Sequence, residues 1–128
     1  MNDAHDPYHA HIYYEPEQRG HAEALRQRLQ ALMPRGEVLY VGEMRDHGVG
    51  PHPLPQFEIH FKKRHLPSVT PTLQASGLRA LVHPLTDDDV ADHTTLATWI
   101  GEPLALDLTT LDPPGVNQGV ARFGKSDF

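Results

Sequence analysis

Three residues far apart in the chain could together hold a metal ion: His11, Glu58 and His83. Two imidazoles and one carboxylate on a common face form the minimum facial set that grips a divalent cation and leaves coordination positions open. The chain has no cysteine, so a metal must be held by nitrogen and oxygen donors, a set that suits iron(II) and oxygen chemistry better than a closed thiolate zinc site. Ten histidines against four phenylalanines, four tyrosines and one tryptophan make the imidazole the over-used side chain of this sequence.

Four more residues belong with these three. His52, in Gly-Pro-His-Pro-Leu-Pro, is held between two prolines in a loop and could act as acid or base, or replace Glu58 as third ligand. His9 is the alternative proton carrier. His93 shares a stripe with Val90, Ala97 and Ile100 and reads as a buried residue supporting the ligands. Arg79 could receive a substrate carboxylate.

The elements that must position these residues follow from periodicity. In Tyr8 to Glu15, His9, His11 and Tyr13 alternate with Ala10, Ile12 and Tyr14, which predicts a strand with one polar face. Ala22, Leu25, Leu29 and Leu32 recur at helical spacing after Pro16 and up to Met33. Glu37 to Glu43 is predicted as a second strand, and Arg45 to Pro55 as a loop dense in Gly and Pro. Gln56 to Lys62 alternates again, with Phe57, Ile59 and Phe61 opposite Gln56, Glu58 and His60. A second helix is expected over Pro67 to Ser76, capped by Gly77, and a fourth strand over Leu78 to His83. Thr86 or Asp87 should then cap a helix carrying His93, with Asp87, Asp88 and Asp89 in its first turn, and a short strand should return over Glu102 to Asp107.

Strand, helix, strand, strand, helix, strand is the split βαβ order of an α+β, ferredoxin-like domain: a four-stranded antiparallel sheet with helices on one face, plus a short extra C-terminal strand. The first strand then lies between the third and fourth, and His9, His11, Tyr13, Glu58, His60, Leu81 and His83 share the face away from the helices. A face bearing Leu81 and tyrosines needs cover, and a homodimer is the default expectation.

The 128 residues make a single domain, with a core over about 8–107 and an irregular tail over 108–128. A formal net charge of -6 with scattered basic residues excludes a phosphate-binding stripe, so no nucleic-acid partner is expected. No basic region followed by an apolar run opens the chain and no stretch is long and apolar enough for a membrane, which predicts a cytoplasmic protein.

Three histidine-bearing stretches in order, Tyr-His-Ala-His-Ile-Tyr-Tyr at 8–14, Gly-Pro-His-Pro-Leu-Pro-Gln-Phe-Glu-Ile at 50–59, and Val82 to Asp107, resemble the DOPA 4,5-dioxygenase family of aromatic ring-cleaving enzymes. The resemblance implies a compact, dimerising ferredoxin-like fold and iron(II)-dependent extradiol cleavage of a catechol by O2, with His11, His52, Glu58, His83 and His93 as family-type positions. Leu85 stands after His83-Pro84 where many members carry Asn. The alternative expectation is a non-catalytic dimeric module that binds a small aromatic ligand.

Overall fold

The computed structural model describes residues 4–48, 50–86 and 88–111. Five strands form one antiparallel sheet: β1 (Pro7–Tyr13), β2 (Tyr40–Val41), β3 (Gln56–Lys62), β4 (Ala80–Pro84) and β5 (Thr98–Ile100), in the order β2-β3-β1-β4-β5. Helices α1 (Arg19–Gln30) and α2 (Leu66–Ser76) cover one face, and a single turn, α3 (Asp89–Asp92), follows β4. This is the α+β, ferredoxin-like arrangement read from the element order.

The core is the apolar half of each alternation. Ala10, Ile12, Phe57, Ile59, Phe61, Ala80 and Val82 point from the sheet onto Ala22, Leu25 and Leu29 of α1 and Val69 and Leu73 of α2, all buried. A short 3-10 turn at Pro16–Gln18 leads into α1, set by a capping box between Glu15 and Gln18. Gly77 ends α2 in the left-handed region at φ 75, a conformation a Cβ would disfavour.

Three expectations change. The second strand shrinks to Tyr40–Val41, although Leu39 and Gly42 still donate to the carbonyls of His60 and Glu58. The helix expected through His93 to Ile100 stops at Asp92, with Asp88 as its cap accepting from the Ala91 amide, while Asp87 lies outside the described residues. Trp99 and Ile100 pair instead with Leu81 and Ala80, so the extra strand forms at Thr98–Ile100 and not at Glu102 to Asp107. A β-branched and aromatic triplet beside an open strand edge gains more from the ladder than from one further helical turn. Of the expected tail, a 3-10 turn at Leu108–Thr110 and its flanking Leu111 are described, and 112–128 lie outside the described residues.

The expectation of an uncovered histidine face is also corrected. His9, His11, Tyr13, His60, Leu81 and His83 are at most 1% exposed within a single chain. The 45–55 loop and the segment from α3 onward supply the cover: His52 bonds Tyr13, Trp99 stacks on Tyr13, and the Asp107 amide donates to the Pro51 carbonyl. The homodimer therefore loses the exposed face that motivated it. Among the described residues no helix is long and apolar enough to cross a membrane.

Candidate metal centre

Antiparallel register sets the face out in rows. His60, His9 and His83 stand opposite one another across β3, β1 and β4, and Glu58, His11 and Leu81 form the next row. Long side chains reach diagonal partners as readily as direct ones, and here the diagonals decide the contacts. His11 Nε2 lies 3.1 Å from His83 Nε2. Glu58, although opposite His11, turns the other way: its carboxylate accepts from His60 Nε2 at 2.8 Å and lies 3.6 Å from His9 Nδ1. Gly42 lets the β2 backbone pass close over it, since a Cβ there would meet Glu58 Cγ at 3.3 Å.

Among the described residues, three trios place one donor atom from each member within 4.8 Å of the others: His9, His11 and His83; His11, His52 and His93; and His9, Glu58 and His60. His11, Glu58 and His83 do not form such a trio among the described residues. His9 takes the place beside His11 and His83 that the sequence suggested for Glu58, and His11 joins the first trio to the second.

Partners on the outer nitrogens fix the tautomers. His83 Nδ1 donates to the Pro84 carbonyl at 2.7 Å, and His93 Nδ1 to the Asp89 carbonyl at 2.8 Å. A carbonyl only accepts, so in the neutral ring each Nε2 carries a lone pair. His11 Nδ1 donates to Gln56 Oε1 at 3.1 Å, with the same consequence. Two neutral imidazoles so held bring lone pairs together at 3.1 Å, an arrangement that repels unless a shared proton or a metal ion lies between them. The donor set therefore fits a metal ion.

His52 has the opposite polarity. The Tyr13 hydroxyl meets His52 Nδ1 at 2.6 Å, and a phenol is a stronger acid than an imidazole N–H, so the hydroxyl donates. Burial pushes the Tyr13 phenol well above its ordinary value, which keeps that proton in place. The remaining proton of neutral His52 then sits on Nε2.

Arg79 is apart from these groups, half-exposed and 3.5 Å from Glu15. Gln56, His60, Tyr13 and Trp99 carried no assigned role in the sequence reading; the alternation already put the first three on the histidine face, but their partners depend on the diagonal lean of the side chains.

Residues 8–110 match the Dopa 4,5-dioxygenase family. The chain belongs to that family. A DOPA 4,5-dioxygenase of Amanita muscaria is 32% identical over 111 residues, covering 81% of this chain and 49% of the relative. An uncharacterised 21.2 kDa protein of Botryotinia fuckeliana is 30% identical over 112 residues, covering 80% and 61%. The chain thus spans about half to three fifths of the length of these relatives. A crystal structure from Nostoc punctiforme, described as a candidate dioxygenase, superposes with a TM-score of 0.76 at 34% identity, covering 86% of this chain and 96% of that one. Membership of the Dopa 4,5-dioxygenase family and this structural likeness support a dioxygenase-type function.

Proposed function

We propose that the chain is a metal-dependent extradiol dioxygenase that opens the ring of a catechol with O2. The observation that carries this reading is the His11–His83 pair, whose inward nitrogens stand 3.1 Å apart with both outer nitrogens committed to oxygen acceptors. His9, His11 and His83 would hold the ion. Each has an oxygen partner near its Nδ1, from Glu58, Gln56 and Pro84 respectively, the outer-shell pattern that orients a metal-bound imidazole. Glu58 then acts by orienting His9 and supplying negative charge.

Iron(II), when bound, would supply open coordination positions and electron exchange with oxygen. The protein's share is orientation, dryness and protons. Strands β1 and β4 fix the donors, and the covering segments keep bulk water from a face whose histidines are almost wholly buried. His52, bearing its proton on Nε2, is the group able to give a proton to an oxygen of the opening ring, and His93, with an inward lone pair, is the group able to accept one from a catechol hydroxyl.

The test is anaerobic loading with iron(II), admission of air and a panel of catechols, watching for the yellow ring-opened product. His11→Ala and His83→Ala should lose metal and activity together. His52→Ala should keep its metal and lose about 10² to 10⁴ of the rate. Full activity in all three variants would overturn the proposal.

A further inference from the structure

Gln56 is wholly buried at the start of β3, opposite Tyr13 of β1 in the ladder. Its backbone is fixed on the other side as well, where its amide donates to the Arg45 carbonyl at 3.0 Å and its carbonyl accepts from the Arg45 amide at 2.8 Å. The side chain ends against His11, with Oε1 3.1 Å from Nδ1. That end is an amide, which carries an acceptor and a donor of nearly equal size on one soft torsion. Half a turn about its last bond exchanges the two in place, while the backbone stays where Arg45 and Tyr13 hold it.

The two settings put the proton of His11 on opposite nitrogens. With Oε1 toward the ring, His11 donates from Nδ1 and turns a lone pair toward His83 Nε2, 3.1 Å away. With the NH2 toward the ring, Gln56 donates to Nδ1, and the single proton of the neutral imidazole moves to Nε2. His83 does not follow this change, because its Nδ1 donates to the Pro84 carbonyl at 2.7 Å and its Nε2 lone pair stays toward His11. His11 Nε2–H then donates to that lone pair. Every bond from Gln56 through His11 and His83 to Pro84 now runs in one direction, and no two lone pairs meet. The first setting presents two lone pairs to a cation, and the second closes the pair on itself.

We propose that the Gln56 amide turns end for end when a divalent cation binds, so that His11 carries its proton on Nε2 in the metal-free protein and on Nδ1 in the loaded one. Gln56 is a positioning residue in both states, a role open to an amide and closed to an ionised carboxylate, which only accepts. The ring keeps one proton throughout, so the exchange adds no charge to the buried face. The inference rests on the metal reading of this face for its cation.

The test is the ¹⁵N spectrum of the full chain, taken first with chelator and then with zinc. In chelator, Gln56 Nε2 should show a scalar coupling to His11 Nδ1 across the hydrogen bond, and His11 Nε2 should carry the proton. Zinc should abolish that coupling, move the proton to Nδ1 and shift the resonances of His11 and His83. Gln56→Glu, which offers His11 an acceptor in both states, should bind zinc more tightly by about tenfold or more. Should that variant fail to fold, the wild-type spectra decide. Zinc binding with His11 protonated on Nδ1 in both states would overturn the proposal and leave the metal reading intact, as would a folded Gln56→Glu that binds zinc no more tightly than wild type. Histidine resonances unmoved by zinc would sink the metal reading and the amide exchange together.

Discussion

Tyr13 and His52 form the contact on which the proposed proton chemistry turns, and the pair can be tested without disturbing the fold. Tyr13→Phe keeps the ring that stacks on Trp99 at a centroid distance of 5.9 Å and removes only the hydroxyl. His52 would then be free to carry its proton on either nitrogen. We expect metal content to stay at the wild-type level, kcat to fall by about tenfold or more with little change in KM, and the ¹⁵N spectrum of His52 to move from one tautomer toward a mixture. A His52 that is protonated on Nδ1 in the wild-type protein would end the argument. A second prediction separates a ligand from its support: His9→Ala should abolish tight metal binding, whereas Glu58→Gln should weaken it by about 10- to 100-fold. Equal and complete loss in both would return Glu58 to the ligand set.

At the scale of elements, the loop carrying His52 is held by tethers. Asp46 accepts from the Tyr14 hydroxyl at 2.6 Å and from Arg19 Nε at 2.8 Å, which ties the start of the loop to the start of α1, and the Pro51 carbonyl accepts from Asp107 near its end. Arg19, and then Tyr14, hold the Asp46 carboxyl below its ordinary 3.8. A folded pKa below the unfolded one means the contribution is present above that ordinary value and is lost as pH falls through the depressed one. Asp46→Asn should therefore flatten the acid limb of the stability curve below about pH 4 and raise amide exchange in the 45–55 loop at neutral pH. An unchanged acid limb and unchanged exchange would show that the tether does not order the loop. Strand β3 was legible to the residue because strict alternation over seven positions admits one register. The helix expected beyond Asp92 was not, because the stripe of Val90, His93, Ala97 and Ile100 fits a helix equally well until the edge of β4 is in place to pair with Trp99. The candidate site shows the same division: alternation put several histidines on one face, but which of them meet depends on diagonal reach, and so Glu58 was set beside His11 when its carboxylate lies with His9 and His60.

For the molecule as a whole, all three proposed ligands and their oxygen partners come from one chain, and the face that bears them is buried by that same chain. Stability should accordingly depend on the metal concentration and not on the protein concentration. An ion that binds only the folded state stabilises it by mass action, about 2.7 kcal/mol when the free ion stands at one hundred times its Kd. In the metal-free protein the inward lone pairs of His11 and His83 must be accommodated by a proton or by movement of the rings, so chelation removes the binding free energy of the ion. Thermal unfolding should show a Tm that rises with added zinc or iron(II), falls with chelator, and stays constant across a dilution series at fixed free metal. In His11→Ala the metal dependence should vanish while cooperative unfolding persists, because the core of Phe57, Ile59, Phe61, Leu25 and Leu73 lies on the other face of the sheet. A Tm that drops on dilution at fixed free metal would place part of the stability in contacts between chains, and a Tm indifferent to metal would remove the ion from the histidine face.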